Sequence, residues 1–223
     1  MGVSGKEHDR HDFFFKKARA EQYRARSVYK LQEIQEKHRI LHPGDTVVDL
    51  GAAPGSWTQY AAEVVGARGR VVAVDRTAIA GGLPAHVTCL QLDMLEVSPE
   101  SLASLAGIER VDAVISDMAP NTSGIRSVDH ARSLELCRKA LEVAERILRP
   151  GGHFVCKVFQ GGDAPELAAE LKTRFRDVRS AKPKSSREES VEFFLVGIKY
   201  QPPAQPREDG GPEAKKWDPL SDG

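Results

Sequence analysis

The stretch Thr46-Val47-Val48-Asp49-Leu50-Gly51-Ala52-Ala53-Pro54-Gly55-Ser56-Trp57 constrains the fold more than any other part of the chain. Apart from Asp49, its first five residues are apolar or β-branched, as in a strand buried on both faces of a parallel sheet. A turn of small residues follows, and Ser56 is placed to N-cap a helix that begins near Trp57. Strand, small-residue turn and helix form the unit that lets backbone approach a nucleotide-like ligand. The turn is Gly-Ala-Ala-Pro-Gly rather than G-x-G-x-x-G. Pro54 removes an N–H that a phosphate cradle would use, and Asp49 puts a negative charge inside the loop. Both features disfavour a pyrophosphate and suit a positively charged nucleoside, so S-adenosylmethionine is the expected cofactor. An ordinary tight βα turn is the competing reading of this loop taken alone.

With 223 residues, the chain has the length of one domain with a sizeable core. Apolar residues make up 40% and charged residues 29%, the balance of a globular protein in water. Cys89, Cys137 and Cys156 form an odd set without metal-like spacing, so no metal site and a reducing, cytoplasmic compartment are expected. No apolar run reaches the ~20 residues of a membrane span, and the N-terminus lacks a signal-peptide core. No membrane association is expected.

Hydrophobic periodicity divides the chain into a flexible N-terminus (1–17), one domain (18–200) and a Pro/Gly-rich disordered tail (201–223). The pattern predicts a helix over 18–39, halted by His42-Pro43-Gly44, then strands at 46–50, 71–74, 87–92, 111–116, 153–159, near 178, and at 191–200. Helices are predicted at 58–65, 99–105, 128–148 and 164–175. This alternation predicts an α/β fold with a mostly parallel, doubly wound sheet. The last two strands have no helix between them, so they are expected to pair antiparallel at one edge.

Ligands of such sheets lie beyond the carboxyl ends of the strands, where Asp49, Asp75, Asp93 and Asp117 fall. Asp75 follows Gly55 by twenty positions, the spacing of an acid that accepts hydrogen bonds from ribose hydroxyls. Asp93 is placed to accept from an adenine amino group. Each acid singly is equally a turn former or helix cap. Lys157 interrupts the apolar strand 153–159, and an unpaired buried ammonium is costly, so it must be paired or functional. Glu192 shares a strand face with Phe194, Val196 and Ile198, and Lys30 flanks the apolar stripe of the first helix. Taken singly, Lys30 reads as a solvated helix lysine and Glu192 as an edge-strand charge.

Several segments together resemble the FtsJ/RrmJ family. They are Ser27-Val28-Tyr29-Lys30-Leu31, Asp49 to Trp57, Ser116-Asp117-Met118-Ala119-Pro120-Asn121, Lys157-Val158-Phe159-Gln160-Gly161, and Lys182-Pro183-Lys184-Ser185-Ser186-Arg187 followed by Glu192. The resemblance runs in order from about Phe14 to Tyr200. It implies a Rossmann-like methyltransferase fold and S-adenosylmethionine-dependent methylation of an RNA ribose 2′-OH. It puts a catalytic Lys-Asp-Lys-Glu tetrad on Lys30, Asp117, Lys157 and Glu192, and cofactor contacts on Gly55, Trp57, Asp75, Asp93 and Asp117. Members close to RrmJ carry Arg before the glutamate and Tyr two places after it, where this chain has Val191 and Phe194.

The tetrad also makes chemical sense by itself. Methyl transfer from a sulfonium needs the ribose oxygen in line and stripped of its proton, a task for a lysine held by a carboxylate. The resemblance implies as substrate a uridine of large-subunit ribosomal RNA, within the large subunit, and a monomeric enzyme is expected. A tRNA methyltransferase of the same family and a non-catalytic ribosome-assembly protein are the alternatives. Net charge is zero, yet Arg10 to Lys30 holds seven Lys/Arg against two acids, and Lys172 to Arg187 seven against one. These two segments are expected to form one phosphate-binding face around the site.

Overall fold

The computed structural model of the chain describes residues 13–186 and 190–203. After a helical segment at 13–20, the elements are α1 (Val28–His38), β1 (Thr46–Leu50), α2 (Ser56–Val65), β2 (Arg70–Asp75), β3 (Val87–Gln91) and α3 (Pro99–Ala106). They continue as β4 (Val111–Ser116), α4 (Arg126–Ile147), β5 (Leu148–Phe159), α5 (Ala164–Lys172), β6 (Phe175–Ala181) and β7 (Glu192–Tyr200). The strands form one sheet in the order β3-β2-β1-β4-β5-β7-β6. β1 to β5 are parallel, and β7 runs antiparallel to both β5 and β6. The α/β, mostly parallel sheet with an antiparallel last strand is therefore the fold.

Helices cover both faces, which is why the central strands lack polar alternation. Val48, Leu50, Val72 and Val74 point to the layer of α3, α4 and α5, while Val47 and Val71 join α1 and α2. Strand order reverses direction between β1 and β4, and there the crevice opens.

Local chemistry displaces several predicted boundaries. The helix predicted over 18–39 is two pieces, because Gln22 takes φ +61° and the Tyr23 N–H closes back on Ala18 O at 2.8 Å. Residues 13–17, expected to be flexible, belong to the first piece, and the tail from 204 onward lies outside the described residues. Ser56 does not cap α2. Gly55 occupies the cap at φ +108°, Ser56 is the first helical residue, and its hydroxyl lies 2.9 Å from that of Ser27. β5 begins at Leu148 rather than His153, because pairing with β4 resumes on either side of a bulge around Pro150-Gly151-Gly152. Phe175 leaves the predicted helix to open β6, where its ring stacks on Phe154 at 5.9 Å.

Candidate active site

The carboxyl ends of β1 to β4 and one face of α4 enclose a cavity of about 570 Å³. Its apolar wall includes Leu92, Met94, Met118 and Leu136. Its charged lining is Asp75, Asp93, Asp117 and Glu135 against Arg76 and Arg132, an excess of carboxylates. Such a lining suits an apolar, hydrogen-bonding nucleoside with positive charge better than a polyphosphate.

Gly51 is required here: its φ is +76°, and a Cβ would lie 2.6 Å from Met118 Cγ. Asp75 braces the loop from below, accepting the Ala53 N–H at 3.0 Å and the Thr77 N–H at 2.7 Å. Asp93 accepts the Leu95 N–H at 3.0 Å. Carboxylates fixed in this way face the cavity without a rotamer search. At the rim, Arg76 donates to Asn121 Oδ1 at 2.9 Å, tying the turn after β2 to the turn after β4.

Two of the residues expected to contact the cofactor are not part of this lining. Gly55 and Trp57 do not line this cavity. Trp57 is buried, its Nε1 donates to Ser27 O at 2.8 Å, and its ring lies 5.6 Å from that of Phe194. It acts as a pillar between the start of α1, α2 and β7. The resemblance alone made it an expected cofactor contact; its ring fills a core position. Asp49 also departs from expectation. It is fully buried beneath the loop, where the Thr58 hydroxyl donates to Oδ2 at 2.6 Å. Burial pushes its carboxyl up to about 7, and the charges of Asp117 and Asp75 add to the rise. The loop therefore carries no fixed full charge at Asp49, and the cavity's negative character comes from the lining acids.

Lys30, Asp117, Lys157 and Glu192 come together beside the cavity although four separate elements or their ends supply them. Lys157, 7% exposed on β5, donates to Asp117 O at 2.7 Å and to Asp117 Oδ1 at 3.0 Å. Lys30 forms an ion pair with Glu192 Oε1, both side chains mostly buried. Burial alone would raise the Glu192 carboxyl, but Lys30, then Lys157 and the Ser186 hydroxyl hold it below the usual range. Glu192 thus feels both lysines. Removing either partner of such a pair leaves a poorly solvated charge.

The two basic segments meet only in part. Glu33 on α1 accepts the Lys184 N–H at 2.7 Å and the Ser185 N–H at 2.9 Å, which draws the loop before β7 against the helix of Lys30. Lys182 and Lys184 are exposed there. Lys172, Arg174 and Arg176 lie at the opposite end of the sheet, because Phe175 pairs with Tyr200 while Ala181 pairs with Phe194. Arg174 is engaged with Glu145 at 2.6 Å. Arg24, expected on the phosphate face, donates instead to Pro54 O (3.1 Å), Ala80 O (2.8 Å) and Gly81 O (2.5 Å). It clamps the turn at Pro54 to the loop at 80–81. Arg10 and Arg187 lie outside the described residues.

Comparison with known proteins decides the lineage. The family model described as FtsJ-like methyltransferase matches residues 23–200, which hold the loop, the cavity and all four tetrad residues. The chain belongs to the FtsJ-like methyltransferase family. Among relatives of this FtsJ-like methyltransferase, three proteins named Ribosomal RNA large subunit methyltransferase E show high identity. That of Syntrophobacter fumaroxidans is 50% identical, over 85% of this chain and 96% of its own. That of Nitratidesulfovibrio vulgaris is 51% identical over 85% and 93%, and that of Desulfosudis oleivorans 47% over 84% and 89%. A crystal structure described as a ribosomal RNA methyltransferase from Plasmodium falciparum superposes with a TM-score of 0.70 at 26% identity, covering 80% of this chain and 98% of that one.

Against that family background, Val191 is 45% exposed and Phe194 is fully buried against Trp57. Neither offers a polar group to a substrate. Sequence reasoning missed Glu33 and the role of Arg24, and marked Ser186 only as part of the family motif. A glutamate on a mixed helix face carries no periodic or motif signal that separates it from surface residues. Gly51 was legible as a tight-turn residue. No helix among the described residues is long and apolar enough to cross a membrane.

Proposed function

We propose that this methyltransferase moves a methyl group from S-adenosylmethionine to the 2′-OH of a uridine ribose in large-subunit ribosomal RNA, in the cytoplasm. The observation that carries the reading is the pair of lysine–carboxylate contacts, Lys157 with Asp117 and Lys30 with Glu192, beside a carboxylate-rich cavity. Every residue the reading needs comes from one chain, so a monomer suffices. Asp75 and Asp93 would hold the ribose and adenine of the cofactor, with Met94, Met118 and Leu92 against its apolar surfaces. When bound, the cofactor supplies an electrophilic methyl on a positively charged sulfur.

The chain's own residues then prepare the ribose oxygen. Acting as the base, Lys157 as a free amine would carry two N–H groups, which Asp117 O and Oδ1 can accept. Its lone pair is left to receive the ribose proton. Asp117 orients that amine and balances the ammonium that forms. Lys30, seated on Glu192, puts a positive charge where the alkoxide develops. The names of the relatives support ribosomal RNA as the substrate, and exposed Lys182 and Lys184 beside the tetrad supply phosphate contacts.

Lys157→Ala is expected to abolish methyl transfer while cofactor affinity, read by calorimetry, is kept, because the amine acts in the transition state. Lys157→Arg is expected to be nearly as inactive, since a guanidinium cannot take up the proton. An active arginine variant would assign Lys157 a purely electrostatic role and overturn the base assignment.

A further inference from the structure

Lys30 and Glu33 stand three positions apart on α1, neighbours on one face of the helix. Lys30 reaches Glu192 at the start of β7, whereas Glu33 reaches the chain just upstream of it. Two consecutive backbone N–H groups, of Lys184 and Ser185, end on the two oxygens of that one carboxylate. Charge-assisted bonds of this kind are about twice as strong as neutral ones, and a bidentate pair also fixes direction. The loop so held places Ser186, itself buried, with its hydroxyl donating to Glu192 Oε1 at 3.2 Å. Lys30 engages the same oxygen. The contacts close a ring: helix to loop through Glu33, loop to glutamate through Ser186, glutamate back to helix through Lys30.

We propose that Glu33 is a positioning residue for methyl transfer, which holds the 182–186 loop so that Ser186 keeps Glu192 aligned on Lys30. The inference rests on the reading that the tetrad performs the chemistry. It also gives the loop a second duty, because the anchored backbone presents the Lys182 and Lys184 side chains beside the reacting centre. Without the anchor, Glu192 would still face Lys30 from α1 and Lys157 from β5, but would lose the hydroxyl donor and its fixed direction. Its carboxyl would then rise from the depressed position in which these groups hold it.

The test compares Glu33→Ala, Glu33→Gln, Ser186→Ala and the double Glu33→Ala/Ser186→Ala in the full chain, with Lys157→Ala as reference. The readouts are kcat and KM for large ribosomal subunits, and cofactor affinity. Glu33→Ala is expected to lower kcat on the order of tenfold and raise KM severalfold, with cofactor affinity unchanged. Glu33→Gln, whose amide oxygen accepts but whose amide nitrogen cannot, is expected to recover part of the loss. The double variant is expected to lose less than the two single losses combined, because both act through Glu192. Wild-type kcat and KM in Glu33→Ala, with Lys157→Ala inactive, would overturn this inference alone. An active Lys157→Ala would overturn it together with the tetrad reading.

Discussion

Replacing Asp49 by asparagine probes the electrostatics under the cofactor loop. Asp49 is sealed in the core, with one oxygen on the Thr58 hydroxyl and the other without a partner among the described residues. Its carboxyl is raised from 3.8 to about 7, chiefly by burial. An acid held higher in the fold than in the unfolded chain favours folding while it is protonated. That stability is fully present below about pH 4 and is lost as pH rises toward 7. Between pH 5 and pH 8 the loss from this one group is about 3 kcal/mol, at about 1.4 kcal/mol per unit. Asparagine cannot ionise, and its amide oxygen can still accept from Thr58. Urea unfolding of both proteins at pH 5, 6, 7 and 8 reads the difference directly. The Asp49→Asn protein is expected to gain steadily on wild type across that range and then level off. Parallel stability curves would refute the argument and mean that Asp49 is solvated or paired in a way this geometry does not contain.

Three further outcomes follow from the same geometry. Asp75→Ala is expected to weaken S-adenosylmethionine binding by about 1.5–3 kcal/mol, as for a lost charge-assisted acceptor, and calorimetry showing unchanged affinity would move the ribose contact elsewhere. Arg24→Ala removes three bonds to loop carbonyls, so it is expected to weaken cofactor binding and leave the salt dependence of RNA binding alone; a flattened salt slope would return Arg24 to the phosphate face. Lys182→Glu with Lys184→Glu is expected to raise KM for RNA and to flatten log affinity against log salt by about 0.7–0.9 per lost phosphate contact. An unchanged slope would mean that RNA docks elsewhere.

The elements that sequence conveys well are those whose residues lie in one stretch. The β1 strand, its Gly-Ala-Ala-Pro-Gly turn and the strand-end acids all announce themselves within a few positions, and Asp75, Asp93 and Asp117 do line the cavity. Lys157 was conspicuous because a cation in an apolar strand demands a partner, and Asp117 is that partner. Charge clusters were less legible. Counting lysines and arginines between 172 and 187 cannot reveal that Lys172, Arg174 and Arg176 lie at the far end of the sheet. Arg24 has an ordinary sequence setting, yet its side chain spans 30 to 57 positions to reach its acceptors. The Glu33 contacts close over 151 and 152 positions, and only the insertion of β7 between β5 and β6 creates them.

The central claim is 2′-O-methylation of ribosomal RNA by the lysine–carboxylate tetrad. Its most direct test is transfer of a labelled methyl group from S-adenosylmethionine to purified large ribosomal subunits and to bulk tRNA, followed by nuclease mapping of the labelled nucleotide. The account predicts label on the ribose oxygen of one uridine in the large-subunit RNA, little on tRNA, and none with Lys157→Ala. Label on a base, or label that prefers tRNA, or undiminished labelling by Lys157→Ala would contradict it.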